Sequence, residues 1–236
     1  MGRGFGVAAA VDHAVIAQVA REAEERGYSS FWVNDTPGND GLAALATAAR
    51  ETSRIRLGVG VVPLDRRPAD DIATNIAQLG LPEDRLYLGV GSGADPRGLT
   101  LVRNGTNRLH ELLSARVIIA ALGPNMSALA GEVAEGVLFN WQVPSFASDS
   151  GQWVINAAEQ ASRPQPLLMT YVRTALLPQA EQRLVDEAAR YASFPKYAAH
   201  FDRMGVAARH TAVSSDDVDS LQSGLAAYEQ VMDETI

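Results

Sequence analysis

Residues Arg54 to Gly93 read RIRLGVGVVPLDRRPADDIATNIAQLGLPEDRLYLGVGSG. An apolar run rich in Val and Gly, Arg56–Val62, has the character of a strand covered on both faces. Pro68 then suits a first helical position, with Ile72, Ile76 and Leu79 on one face behind it. A second apolar run, Arg85–Val90, follows. Strand, helix and strand within about 30 residues make a βαβ unit, whose two strands must run parallel.

Working outward, the same alternation recurs. Phe5–Val11 and Tyr28–Val33 read as strands around a helix that Asp12 caps and Gly27 closes, with Val15, Ile16, Val19, Ala20 and Ala23 on one face. A helix over Asp40–Glu51 buries Leu42, Leu45, Ala46 and Ala49. Arg116–Ala121 is a fifth strand, Pro124 opens the next helix, and Gly136–Asn140 is a sixth strand. Further on, the pattern predicts a helix at Gln152–Ala161, a seventh strand at Pro166–Ala175 and a helical region Ala180–Met204 broken near Pro195. A short eighth strand at His210–Val213 and a last helix capped by Ser215, with Val218, Leu221, Leu225, Tyr228 and Met232 as its stripe, complete the set. Eight units of about 30 residues predict a (β/α)8 TIM-type barrel as one α/β domain over residues 1–236. An open doubly wound sheet shares the alternation, but eight units are many for it, and the first βα turn has no dinucleotide fingerprint.

Composition narrows the class of function. The chain has 236 residues, 47% of them hydrophobic, with a net charge of −8 and no cysteine. Disulfides, thiolate nucleophiles and thiolate metal sites are thereby excluded. The acidic balance argues against nucleic acid and anionic membrane as partners, because neither gains counterion release without a basic surface. No run approaches the roughly 20 apolar residues of a membrane helix, and no basic segment precedes an apolar one as in a signal peptide. A soluble, cytoplasmic protein is expected. The basic residues are 19 Arg and one Lys, Lys196.

Several catalytic motifs are missing. Pro63 and Ala94 stand where a third glycine would complete G-x-G-x-x-G after Gly58/Gly60 and Gly89/Gly91. There is no Walker loop. The four histidines, His13, His110, His200 and His210, are scattered, so no metal is expected. Gly91-Ser92-Gly93 lacks the frame of a nucleophile elbow.

In a barrel the strand ends share one mouth, where the chemistry is assembled. Here they carry glycines, a few polar groups and Trp32 and Trp141, with Asp35 and Asp95 as acids. That set is poor for hydrolysis, which wants paired carboxylates, a triad or a metal. It suits a flat cofactor that brings its own chemistry, since glycines let backbone approach a ring. Gly123-Pro124-Asn125-Met126-Ser127 starts a helix with free N–H groups and so offers a phosphate site; it equally fits an ordinary βα turn.

Taken with Arg67-Pro68, with Gly27-Tyr-Ser-Ser-Phe-Trp-Val33 and with Ala120-Ala-Leu-Gly-Pro-Asn-Met126 and Ala134-Glu-Gly-Val-Leu-Phe-Asn140, the opening stretch resembles the bacterial luciferase-like superfamily. The resemblance implies a (β/α)8 barrel that binds FMN or the deazaflavin coenzyme F-420, usually as a homodimer. Such proteins are monooxygenases, in some cases served by a separate flavin or deazaflavin reductase, or they pass hydride to or from the deazaflavin. Carried across position by position, Gly60 and Val61 match a cis peptide or bulge beneath the cofactor ring. Gly91, Ser92 and Gly93 match the segment flanking the ring and ribityl chain, and Gly123, Pro124, Asn125 and Met126 match the phosphate turn. Asp35 matches an acid beside the cofactor, the catalytic candidate; a helix cap or turn residue is the alternative.

Two departures matter. Deazaflavin sugar-phosphate dehydrogenases carry a histidine after that acid and a glutamate after G-x-G, where this chain has Thr36 and Ala94. Luciferase places an arginine in the G-x-G segment, where Ser92 stands. Asp95, His110 and Tyr171 remain as weaker acid candidates. The reading is an oxidoreductase acting on a small organic substrate, with a lean to the deazaflavin. The rivals are a flavin-binding protein without turnover, resembling the short non-fluorescent flavoprotein, and an unrelated barrel enzyme for phosphorylated substrates. Only 22 residues separate Gly93 from Arg116, so the loops are read as trimmed and the substrate site as open and shallow, with Trp141 in its lining.

Overall fold

The computed structural model of the protein describes residues 2–236. Seven parallel strands follow the chain around a barrel: β1 (Gly2–Val7), β2 (Ser30–Val33), β3 (Arg56–Pro63), β4 (Leu86–Gly91), β5 (Arg116–Ala120), β6 (Gly136–Asn140) and β7 (Leu167–Tyr171). Two short strands, β8 (Thr174–Leu176) and β9 (Val213–Ser215), pair with each other outside it. The closing strand is β10 (Glu234–Thr235), in parallel register with both β7 and β1. The outer layer comprises α1 (His13–Glu25), α2 (Gly41–Glu51), α3 (Ala69–Leu79), α4 (Gly98–Leu112), α5 (Pro124–Val133) and α6 (Pro144–Gln160), followed by α7 (Glu181–Ala192), α8 (Pro195–Met204) and α9 (Val218–Glu229). This is the predicted TIM-type barrel.

Strand period sorts the core into two layers. Phe31 and Val33, Leu57 and Val59, Leu86 and Leu88, Val117 and Ile119 point outward into one apolar layer beneath the helices. Trp32, Tyr87, Ile118, Leu138 and Met169 point inward and plug the barrel. The glycine alternation of the opening stretch has its cause here. A Cβ on Gly58 would sit 2.2 Å from the Trp32 ring, and one on Gly60 would sit 2.2 Å from the Tyr171 hydroxyl. The inward glycines make room for large aromatic neighbours, as small and large side chains alternate around a packed lumen.

The expected Asp12 cap and Gly27 closure hold, and Asp40 and Gly80 act in the same way at the next helices. The Asp12 carboxylate accepts the Ala14 N–H at 2.7 Å, and Asp40 accepts those of Leu42 and Ala43. Gly27 and Gly80 take left-handed φ of 80° and 64° at chain reversals. Pro68 is the residue before α3 rather than its first helical one.

The later elements need correction. β1 spans Gly2–Val7 rather than Phe5–Val11, because Ala8–Val11 turn, with Val11 N–H on the Ala8 carbonyl. The segment between β4 and β5, expected as a trimmed loop, holds the fifteen-residue helix α4. α6 begins at Pro144, eight residues before the expected start. The run Pro166–Ala175 is two strands, since the chain leaves the barrel after Tyr171 and Thr174–Leu176 pairs with β9. The expected eighth strand at His210–Val213 is instead a 3-10 turn, Ala208–Thr211, running into β9. Asp217, not Ser215, caps α9, accepting the Ser220 N–H at 2.8 Å, and Met232 lies beyond its end. The barrel is closed by two polar residues. Buried Glu234 accepts hydrogen bonds from the Ser29 hydroxyl at 2.8 Å and from that of Ser30, which in turn accepts Trp32 Nε1–H at 2.6 Å.

No helix among the described residues is long and apolar enough to cross a membrane, and no cluster of three or more His, Asp or Glu there is arranged to hold a metal.

Candidate functional site

The carboxyl ends of the barrel strands surround a cavity of about 780 Å³. That is within the range of small-molecule and cofactor sites. Asp35, Gly60, Val61, Gly91, Ser92, Gly93, Gly123, Pro124, Asn125 and Met126 all line it, so the residues singled out along the sequence meet at one place.

The β3 wall carries the first group. The Gly60–Val61 peptide is cis, and the pairing of β3 with β4 shifts register between Val59 and Val62. Both features fall where the resemblance implied a cis peptide or bulge. The loop after β4 is held from below. Gly93 takes φ 54°, a Cβ there would strike the Asp65 carboxylate, and Asp65 accepts the Ala94 N–H at 2.7 Å.

The turn into α5 is the second group. Gly123 precedes the helix, Pro124 is its first residue, and no side chain caps it. The Ser127 N–H is satisfied by the Gly123 carbonyl at 3.0 Å, which leaves the Asn125 and Met126 N–H groups facing outward from the helix start. Beside them stands the guanidinium of Arg203, whose Nη1 donates to the Leu122 carbonyl at 3.1 Å and lies 3.3 Å from where a Gly123 Cβ would be. Free N–H groups, a helix N-terminus and an arginine favour an anion.

Asp35 is already occupied. Its side chain is 3% exposed; Oδ1 accepts from Arg66 at 2.9 Å, Oδ2 accepts the Gly41 N–H at 3.0 Å, and Arg67 is 3.6 Å from Oδ2. It lines the cavity as an ion-paired carboxylate that also braces the start of α2. Thr36, Ala94 and Asp95 line the same cavity; His110 does not, and its Nε2 is 2.8 Å from Glu135.

The third wall is additional to the groups expected from the sequence. It comes from α7 and α8, part of the excursion between β7 and β10, and contributes Tyr191, Lys196, Tyr197 and Arg203. Lys196 reaches across to donate to the Gly93 carbonyl at 2.7 Å and to Ser92 Oγ at 3.2 Å. With Arg203 on Leu122, two cations of one helix tie it to two strand-end loops. The mouth is therefore walled on this side rather than open and shallow. Trp141 is also displaced from its expected role. It is 1% exposed, has φ 55°, and lies behind the wall under the Arg173 guanidinium, 4.4 Å from its ring centre. No local pattern marks Lys196 or Arg203, whose partners are 104 and 81 residues away. The single lysine of the chain was the one available signal.

Tyrosines supply the proton-holding groups. Tyr171 sits with its hydroxyl over Gly60, edge-on to Trp32 at 5.9 Å, and burial raises its phenol above the ordinary range. Burial likewise pushes Tyr197 up to about 12. Both stay protonated at neutral pH and can donate a hydrogen bond but not remove a proton.

The family model described as luciferase-like monooxygenase matches residues 4–112. A 5,10-methylenetetrahydromethanopterin reductase of Methanolobus tindarius is 27% identical over 184 residues, 63% of this chain and 56% of that protein. The chain thus spans little more than half the length of that relative. Among solved structures, a coenzyme F-420 dependent tetrahydromethanopterin reductase from Methanopyrus kandleri superposes with TM-score 0.77 at 17% identity, over 99% of this chain and 92% of the other. The oxygenating constituent of 3,6-diketocamphane monooxygenase of Pseudomonas putida, in complex with FMN, gives TM-score 0.70 at 14% identity, over 100% and 90%. At these identities the structural likeness speaks for the fold.

Proposed function

We propose, from a chain whose residues 4–112 match the luciferase-like monooxygenase family model, that it is a flavin- or deazaflavin-dependent oxidoreductase acting on a small organic substrate. The observation that carries this is the joining of the uncapped α5 turn and Arg203 to the glycine-lined ends of β3 and β4 in one cavity of about 780 Å³. A phosphate needs the first, and a flat ring needs the second.

In this reading Asn125 and Met126 N–H with Arg203 hold the cofactor phosphate, and Gly60, Val61, Gly91, Ser92 and Gly93 flank its ring. The bound group supplies two-electron redox chemistry. Lys196, by holding Gly93 and Ser92, keeps the β4 loop against α8 and excludes water from that side. Asp35, neutralised by Arg66 and Arg67, keeps a fixed dipole at the rim. Tyr171 and Tyr197 hold protons that can be donated to a substrate oxygen. The lean to the deazaflavin over FMN rests on the resemblance carried by the Leu88-Gly-Val-Gly-Ser-Gly93 block. A homodimer in the cytoplasm, with a separate reductase where FMN is used, accords with the resemblance.

The test is a titration of the purified protein with FMN and with the deazaflavin, followed by quenching of tryptophan fluorescence. Saturable binding of one of them is expected, and binding of neither overturns the reading. Binding with no substrate-dependent change in cofactor redox state across a panel of ketones, alcohols and aldehydes would point to the non-catalytic carrier, which the occupied state of Asp35 and the presence of Thr36 and Ala94 favour.

A further inference from the structure

Beside the phosphate end, the cavity has a wall of chemistry that neither the phosphate nor the ring explains. Arg173 follows β7 and is fixed on several sides. Its guanidinium stacks 4.4 Å from the Trp141 ring centre and 5.2 Å from that of Tyr191, and its Nε and Nη2 donate to Glu187 Oε1 at 3.3 and 3.2 Å. Nη1 donates to Asn140 Oδ1 at the end of β6. A guanidinium has donors only, so this contact decides which way the Asn140 amide faces. The oxygen is turned to Arg173, and Nδ2 must be the atom that donates to the Tyr197 hydroxyl oxygen, at 3.0 Å. Tyr197 accepts that bond with its oxygen. Among the described residues, its proton has no protein acceptor, and the hydroxyl belongs to a residue lining the cavity.

The relay thus polarises a donor in one direction, from Arg173 through Asn140 and Tyr197 to the cavity. We propose that Tyr197 is a specificity-determining residue that donates its hydroxyl proton to an acceptor oxygen of a neutral, flat substrate, with Asn140 and Arg173 as the residues that position it. The inference deepens the functional reading above and rests on it in treating this wall as the substrate's share of the cavity. Neutrality follows from the charges around the hydroxyl: Glu187 pairs with Arg173, and the two cations of α8 that have no ion pair among the described residues are directed to backbone carbonyls, Lys196 to that of Gly93 and Arg203 to that of Leu122. Flatness follows from the rings of Tyr171, Tyr191 and Tyr197, which line the space and offer faces and edges to a planar group. An acceptor oxygen such as a carbonyl follows from the direction of the relay. An alcohol in the same place would bring a second proton to a wall that has donors to offer.

Acetophenone and ethylbenzene differ by the carbonyl oxygen and serve as probes. Binding of each to the purified protein is measured by calorimetry, with and without added FMN, for the wild type, Tyr197→Phe and Asn140→Asp. Tyr197→Phe removes the donor. Asn140→Asp keeps the hydroxyl and the pairing with Arg173 but presents Tyr197 with a carboxylate, which accepts its proton. Both variants are expected to weaken acetophenone about fivefold, the worth of one neutral hydrogen bond, and to leave ethylbenzene unchanged. The infrared carbonyl stretch of bound acetophenone should be lowered in the wild type and return toward its value in hydrocarbon in both variants. Acetophenone affinity unchanged in both variants, equal weakening of both probes, or no binding of either probe to the wild type overturns the proposal. FMN and deazaflavin titrations of the same proteins separate the two claims. If the acetophenone pattern holds while neither cofactor binds, the functional reading fails and Tyr197 stands as a donor; if a cofactor binds without the acetophenone pattern, the reverse follows.

Discussion

Replacing Arg203 with methionine removes the guanidinium beside the α5 turn while keeping an apolar stem of similar length. Its Nη1 is 3.1 Å from the Leu122 carbonyl and 3.3 Å from the Cβ position of Gly123. We take about 5 Å as the working separation between that guanidinium and a phosphate on the Asn125 and Met126 N–H groups. Two unit charges at that distance attract by about 0.8 kcal/mol in water and about 3 kcal/mol at an effective dielectric of 20. Arg203 is exposed, so the value lies toward the aqueous end, and for a phosphate carrying nearly two charges it comes to about 1.5 kcal/mol. The expected result is roughly tenfold weaker binding of FMN at low salt. Because the Debye length shrinks to about 3 Å in 1 M salt, the difference between variant and wild type should nearly vanish there. Riboflavin, which has the ring but no phosphate, is the internal control and should bind both proteins equally. Equilibrium titrations of the two ligands at two salt concentrations measure all four values. If FMN affinity does not change, or if riboflavin loses as much as FMN, Arg203 is not a phosphate ligand and the placement is wrong.

Three further outcomes follow from the packing. Gly123→Val sets a branched side chain against Arg203, where 3.3 Å is available, and should weaken FMN binding without lowering the urea midpoint; an unaltered FMN affinity would refute the crowding argument. Gly89→Ala forces a Cβ to 2.1 Å from the Val59 carbonyl oxygen and should cost about 2 kcal/mol or more, read as a lower urea midpoint at unchanged slope. His200 is fully buried, with Nε2–H on the Trp141 carbonyl at 3.0 Å and Nδ1 without a partner, and burial lowers its pKa. The folded state therefore keeps it neutral while the unfolded chain takes up a proton below pH about 6.5. Stability should fall as pH drops through that value, by up to about 1.4 kcal/mol per pH unit until the folded pKa is reached. His200→Gln should lack that component, and parallel pH profiles of the two proteins would rule it out.

What the sequence made legible follows from the range of the physics involved. The turn chemistry of Asp12 and Gly27 is local, and the structure uses it as read. The apolar strands β2 to β6 were legible because their partners cover both faces. α4 was not, since its buried stripe is Val102, Thr106 and Leu109, with a polar residue in the middle and glycines at 98 and 105. Gly105 is there for contact, as a Cβ would be 2.6 Å from Leu64. β10 is two residues long and polar, and Glu234 is tolerated only because Ser29 and Ser30, some 200 residues earlier, donate to it. The site divides in the same way. Glycines and the Pro124 turn announce themselves within a few residues, whereas Lys196, Tyr197 and Arg203 acquire meaning only when α8 folds back over the β4 and β5 loops.

The central claim is that the uncapped α5 turn and the glycine-lined ends of β3 and β4 hold one phosphorylated flavin or deazaflavin. The most direct measurement is a crystal structure of the protein with the cofactor that binds in titration. It should place a phosphate on the Asn125 and Met126 N–H groups beside Arg203, and the ring against Gly60 and Val61. A phosphate bound elsewhere, or a ring lodged away from the end of β3, would contradict the account.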